Sequence, residues 1–187
     1  MNVVIFGPPG AGKGTQAYNI VKKFNLHQVS TGDLLRTEIK NKSEIGKEIE
    51  EIISKGDFAT DDIVNKLIKN IIFDPQKKDK LIFDGYPRSL SQAKNLDLLL
   101  NNSKQKIDFV FFLNVNKDTI IKRIEKRKIL EKRADDNQNT ILKRYDTYME
   151  TTRPVLDFYS KNLNFHEIDG SDEIDVISSK IEQILSV

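Results

Sequence analysis

The feature that most restricts this chain lies at its start. An apolar run at residues 3–6 ends in Gly7-Pro8-Pro9-Gly10-Ala11-Gly12-Lys13-Gly14-Thr15, and a helix-compatible stretch follows at once. Glycines let a backbone curl until successive N–H groups point inward, and the helix behind them adds the positive end of its dipole. Such a loop is a nest for phosphate oxygens, and Lys13 places a mobile cation beside it. A plain glycine-rich turn is the bland alternative, but the order strand, glycine loop, helix favours the cradle. One position departs from the general pattern: Gly14 follows the lysine where Ser or Thr is usual, and Thr15 comes next. A hydroxyl bound directly to Mg²⁺ is therefore not expected there, and the ion should be held more by phosphates and water.

Further along, short apolar runs at residues 81–83 and 109–113 read as buried parallel strands, with weaker candidates around Val29 and at 165–168. Helical patterns fall at 15–24, 34–40, 43–54, 61–72, 90–100, 118–126, 140–161 and 174–185. This alternation predicts right-handed crossovers and a doubly wound parallel sheet with ligands at the carboxyl ends of its strands. Two stretches break the rhythm: residues 31–72, which are helix-rich without a strand signal, and the basic segment 122–133. Both read as insertions able to move against the core.

A chain of 187 residues fits one α/β domain with small insertions. Lys and Arg total 30 against 28 for Asp and Glu, a net charge of +2, which argues against general binding to nucleic acid or to a membrane surface. The absence of cysteine removes disulfides, thiol nucleophiles and cysteine-based zinc sites, and suits a reducing compartment. The amino terminus is too short and wrongly flanked for a signal peptide, and no apolar run approaches membrane-spanning length. The chain is expected to be cytoplasmic. His27 and His166 stand beside apolar residues and read as structural.

Three more motifs follow the glycine loop in order. They are Ser30-Thr31-Gly32-Asp33-Leu34-Leu35-Arg36, Phe83-Asp84-Gly85-Tyr86-Pro87-Arg88 and Arg133-Ala134-Asp135-Asp136. Together the four span nearly the whole chain and resemble the nucleoside monophosphate kinases, most closely the adenylate kinases. The resemblance implies a P-loop α/β fold: a five-stranded parallel sheet flanked by helices, a helical monophosphate-binding insertion at 31–59 and a short lid at 123–136. The core is then 1–30, 60–122 and 137–187. It implies an ATP site of Gly10, Ala11, Gly12, Lys13, Gly14, Thr15, Arg123 and Arg127. An AMP site would comprise Thr31, Arg36, Ala59, Gly85, Arg88, Gln92, Arg133 and Arg144. Lys13, Arg88, Arg123, Arg127, Arg133 and Arg144 are the implied catalytic cations, and Asp84 the carboxylate that holds Mg²⁺ through water. A lid of the short kind lacks the zinc site of longer relatives. Two departures from the family pattern are visible. Tyr86 replaces the usual Phe, which should matter little, and the lid tip 128–132 lacks the small residues of other short lids, which bears on its flexibility.

The chemistry explains so many cations. Joining two polyanions costs about 3 kcal/mol for each unit-charge pair ~5 Å apart at an effective dielectric near 20, and guanidinium forks offset that without losing charge. The acceptor phosphate is already largely ionised at neutral pH, so no general base is needed. Several readings stay open at this level. UMP or CMP kinases are the near alternatives to AMP, which Gln92 favours. Asp135 and Asp136 can cap a helix near Asn137, meet an arginine, or both. Asp84 can be a simple strand-end turn residue, and Lys122, Lys126, Lys128 and Lys132 read as a solvated helix face. A nucleotide switch lacks support, because neither the Ser/Thr after the loop lysine nor an Asn-Lys-x-Asp motif is present. The expected partners are ATP, AMP and ADP, taken up by a monomer.

Overall fold

The computed structural model describes residues 1–54, 57, 59–131, 138–161 and 164–186. Among these, five strands form one parallel sheet: β1 (Val3–Phe6), β2 (His27–Ser30), β3 (Leu81–Asp84), β4 (Phe109–Asn114) and β5 (Phe165–Asp169), in the order β2-β3-β1-β4-β5. The register pairs Ile5 with Asp84 and Ser30 with Asp84. The carboxyl ends of β1, β2 and β3 therefore lie side by side, and the loops leaving them share one edge of the sheet. Alternate side chains of β1 serve two cores. Val4 and Phe6 pack with Leu96, Leu100 and Val155 on one face, while Val3 and Ile5 pack with Ala17, Ile20 and Ile181 on the other. Burial on both faces is what turns these strands into continuous apolar runs.

Helices cover both faces: α1 (Lys13–Phe24), α2 (Thr31–Lys40), α3 (Glu44–Ser54), α4 (Asp61–Ile72), α5 (Leu90–Asn102), α6 (Lys117–Glu131), α7 (Gln138–Thr147), α8 (Arg153–Tyr159) and α9 (Ile174–Leu185). The helical excursion expected from residue 31 is α2, α3 and α4. Its first helix, α2, begins at Thr31, three residues before the helical pattern expected at 34–40, because Ser30 caps it by accepting a hydrogen bond from the Asp33 N–H at 3.3 Å.

Two helices differ from the sequence expectation. α6 does not stop at 126 but runs through residues 128–131, since the segment contains no Gly, Pro or Ser to break it. Ile124 is buried beneath that helix, and Arg123 and Arg127, one turn apart, are half-buried beside it. Lys122 and Lys128 face solvent, as a solvated helix face requires, whereas Lys126, also exposed, borders the same cleft as Arg123 and Arg127. The long helix expected at 140–161 is interrupted by a π-helical turn at Tyr148–Thr152. Pro154 follows directly; it has no N–H to donate and its ring crowds the carbonyl four residues back, so the helix widens there. Lys132, Arg133, Asp135 and Asp136 lie outside the described residues, so the expectations placed on them have no structural counterpart here.

α2 and α3 approach most closely at Gly46, where an added methyl would overlap the Glu38 carbonyl. Helix propensity alone makes Gly46→Ala a gain of about 1 kcal/mol, whereas overpacking costs roughly 1–3 kcal/mol. Here backbone blocks the methyl, so Gly46→Ala is expected to lower the melting temperature by roughly 2–4 °C for each kcal/mol of net loss in a circular-dichroism melt. A rise would show that the helix pair yields freely.

Candidate active site

The loop after β1 is curled by two left-handed glycines, Gly10 (φ +82) and Gly12 (φ +93). At Gly10 the space is closed as well, since a Cβ would come within 2.7 Å of Ile124. The curl is pinned by the Ala11 N–H donating to the Pro8 carbonyl (3.1 Å), and α1 begins behind it with the Gln16 N–H donating to the Gly12 carbonyl (3.0 Å). Lys13 folds back into the loop. Its Nζ donates to the carbonyls of Gly7 (2.8 Å) and Pro8 (3.0 Å). Burial of the ammonium pulls its pKa down from the ordinary 10.5 to about 8; Asp84 opposes the fall, and the charges of Arg88, Arg144 and Arg127 deepen it. Three arginines and one carboxylate, Asp84, thus lie within electrostatic reach of Lys13.

Asp84 ends β3 and lies against the first turn of α1, where a Cβ on Gly14 would sit 3.5 Å from its Oδ2. Gln28 on β2 donates to that same oxygen at 3.1 Å. Next along the chain, Gly85 adopts φ +73, and its carbonyl accepts from both the Thr31 hydroxyl (2.8 Å) and Arg88 Nε (2.7 Å). The Thr152 hydroxyl donates to the Arg88 carbonyl at 3.0 Å, so the π-helical turn braces the same arginine. Tyr86 is buried, and burial pushes its phenol up to about 12. Its hydroxyl is satisfied by donating to Asn65 Oδ1 at 2.9 Å.

A cleft of ≈ 900 Å³ runs over the loop. Gly10, Ala11, Gly12, Lys13, Gly14 and Thr15 line it together with Arg123, Arg127, Asp84, Arg88, Arg36 and Arg144. Arg123 Nη1 donates to the Ala11 carbonyl at 3.3 Å. Adjoining the cleft is a narrower recess lined by Thr31, Arg36, Ala59, Gly85, Arg88, Gln92 and Arg144. Leu35 and Val64 add an apolar side to it. Every residue that the resemblance assigns to ATP, AMP, Mg²⁺ or catalysis lines one space or the other, except Arg133, which lies outside the described residues. Arg36 is paired with Asp33 through Nη2 at 2.6 Å.

Sequence reasoning missed several cleft residues. Gln28, in the cleft, carries no motif and depends on pairing across the sheet; Thr152, outside the cleft lining, acts on it only through its bond to the Arg88 carbonyl. Ser171, Asp172, Glu173 and Ile174 also line the cleft. They follow β5, and the rule that loops at the carboxyl ends of parallel strands build the site was the available signal. Among the described residues no group of three or more His, Asp or Glu is arranged to hold a metal ion, and no helix is long and apolar enough to cross a membrane.

A phosphate cradle facing converging guanidinium groups at the carboxyl edge of a parallel sheet defines a phosphotransferase of the P-loop class. Comparison with known proteins narrows the class. The model of the adenylate kinase family matches residues 5–164. The adenylate kinase of Pelagibacter ubique (strain HTCC1062) is 49% identical over 213 aligned positions, covering 100% of both chains. That alignment is longer than the present chain, so the relative carries segments absent here. Adenylate kinases of Caulobacter sp. (strain K31) and Nocardioides sp. (strain ATCC BAA-499 / JS614) are 38% and 36% identical over 187 positions, covering 100% of this chain and 99% and 98% of theirs. The chain belongs to the adenylate kinase family.

The lowered proton affinity of Lys13 makes a testable statement about stability. The unfolded chain binds that proton near pH 10.5 and the folded chain only near 8, so between these values the unfolded chain holds more protons and stability rises with pH. Lys13→Met removes this dependence. Relative to the variant, the ligand-free wild type should gain up to ~3 kcal/mol between about pH 7.5 and 10.5, read from denaturant unfolding at each pH. A constant difference would mean that the ammonium is not desolvated.

Proposed function

We propose that this chain catalyses reversible transfer of the terminal phosphoryl group of ATP to AMP, giving two ADP. The observation that carries the reading is that Lys13, Arg88, Arg127 and Arg144 line one cleft over a phosphate cradle, with Arg88 and Arg144 also lining the recess beside it, and that the arginine charges add to the fall in Lys13 proton affinity that burial causes. Such a cluster is costly by itself and becomes favourable when polyanions enter.

ATP is assigned to the cradle Gly10–Thr15, with Arg123 and Arg127 on its wall. Lys13 then exchanges carbonyl partners for phosphate oxygens, whose negative charge raises its proton affinity again. AMP is assigned to the recess, with its phosphate toward Arg36, Arg88 and Arg144 and its base toward Gln92, Thr31 and Ala59. Arg133 is assigned to the same phosphates on sequence grounds. The AMP oxygen is already anionic, so the chain supplies alignment and charge stabilisation and no base. The donor set fits Mg²⁺: one carboxylate, Asp84, and no hydroxyl at Gly14 suit an ion that keeps its waters and takes its remaining ligands from phosphates. When bound, the ion neutralises phosphate charge. We assign segments 31–59 and 123–136 as elements that close over the nucleotides and exclude water, which would otherwise accept the phosphoryl group. Since cleft and recess are walled by one chain, the enzyme is inferred to work as a cytoplasmic monomer on small nucleotides.

A coupled assay that offers AMP, CMP, UMP or GMP with Mg-ATP tests the assignment. ADP is expected chiefly with AMP; preference for UMP or CMP would move the chain to the pyrimidine-specific kinases. Arg88→Ala is expected to lower kcat/KM by roughly 10³-fold with the circular-dichroism spectrum unchanged. Near-wild-type activity would remove Arg88 from the site.

A further inference from the structure

Gln92 is only 4% exposed and lines the recess, yet its side-chain amide is already half engaged within the protein. Its Oε1 accepts from the Arg88 backbone N–H at 2.7 Å, and its Nε2 donates to Asp61 Oδ1 at 2.7 Å. The Ser89 hydroxyl, which caps α5 by accepting from the Gln92 N–H at 3.1 Å, donates to the other Asp61 oxygen at 3.3 Å. Asp61 itself stands in the first turn of α4 and does not line the recess.

We propose that Asp61 is a positioning residue that fixes the polarity of the Gln92 amide, and through it the choice of purine at the acceptor site. The proposal rests on the recess being the AMP site. A carboxamide has two N–H donors and two acceptor lone pairs. One of each is used inside the protein, which leaves one of each for a ligand. A backbone N–H only donates and a carboxylate only accepts, so each internal partner tolerates a single orientation of the amide. Turning it over would set Nε2 against the Arg88 N–H and Oε1 against the Asp61 carboxylate, unfavourable at both ends. The backbone partner is present whatever the sequence. Asp61 is the side chain that adds a second, charge-assisted lock.

Polarity matters because the two purine classes present opposite edges. A 6-amino purine donates from its amino group and accepts at N1, whereas a 6-oxo purine accepts at O6 and donates from N1. A rigid amide pairs with one and meets the other donor to donor and acceptor to acceptor. An amide free to turn pairs with either. Asp61 also ties the start of α4 to the start of α5 behind the base, so the lock is set in the scaffold before the acceptor arrives.

Steady-state kinetics with Mg-ATP and either AMP or GMP test the proposal on the wild type, Asp61→Ala, Asp61→Ser, Asp61→Asn, Gln92→Ala and the double variant Asp61→Ala/Gln92→Ala. Loss of the lock should raise KM for AMP roughly tenfold and reduce the AMP-to-GMP preference by a similar factor, with KM for ATP little changed. Asp61→Ser keeps a polar helix start but is too short to reach Nε2, so it should match Asp61→Ala and stands in if that variant folds poorly. Asp61→Asn retains an acceptor for Nε2 and should recover most of the loss, although it removes the charge at the α4 amino terminus as fully as alanine does. In the Gln92→Ala background, Asp61→Ala should add nothing. The proposal is overturned if Asp61→Ala and Asp61→Ser leave KM for AMP unchanged, if asparagine is as damaging as alanine, or if the two single effects multiply in the double variant. Failure of the underlying reading shows differently, as a wild type that makes no ADP from AMP.

Discussion

Like charges crowd the centre of the cleft, and much of the surrounding structure serves to hold them there. Burial takes most of the proton affinity that Lys13 loses, and the charges of Arg88, Arg144 and Arg127 lower it further. The means of restraint matter as much as the charges. Lys13 is oriented by the carbonyls of Gly7 and Pro8, Arg88 by that of Gly85, and Arg123 by that of Ala11. A carbonyl dipole directs a cation without cancelling its charge, so the attraction left over is available to an incoming anion. Arg36 is handled otherwise. Its pairing with Asp33 at the surface, with both partners partly exposed, is a weak contact that a phosphate can displace at little cost.

Those carbonyls are in place because of the sheet. β1 lies between β3 and β4, and its register with β3 sets Ile5 beside Asp84. The phosphate loop leaves β1 where Asp84 and Gly85 leave β3 and Thr31 leaves β2, so three short segments far apart in sequence meet at one edge. Side chains that bury on both faces make this edge stiff, with Val4 and Phe6 in one core and Val3 and Ile5 in the other. Rigidity there is what keeps preorganised charge from relaxing apart.

The second recess depends on a different set of contacts. Gly85 and Arg88 come from the loop between β3 and α5 and Gln92 from the first turn of α5, and each is held by a partner from elsewhere: Gly85 by Thr31 from α2, Arg88 by Thr152 from the π-helical turn and Gln92 by Asp61 from α4. Acceptor recognition is therefore built from the helical excursion after β2 as well as from the core. A shift of α4 or of the π-helical turn would be felt at the acceptor base and phosphate, while the cradle over α1 would be left largely as it is.

The glycine loop, the parallel strands and the order of the motifs were legible in the residues alone, because each is a local matter. A cradle needs Gly at positions where φ is positive, as at Gly10 and Gly12, and a doubly buried strand needs an unbroken apolar run such as residues 109–113. The convergence of Lys13 and the arginines could be expected from that order through resemblance to a family, and their local charge already announced a polyanion. Other features were decided only by the fold. The continuation of α6 past residue 126, the π-helical turn before Pro154, the bond from Gln28 to Asp84 and the grip of Asp61 on Gln92 involve residue types that are common at exposed positions. Their meaning comes from partners up to 64 residues away, as with Thr152 and Arg88. A linear chain does not display such pairings, because they exist only once strand register and helix packing have set the two backbones side by side.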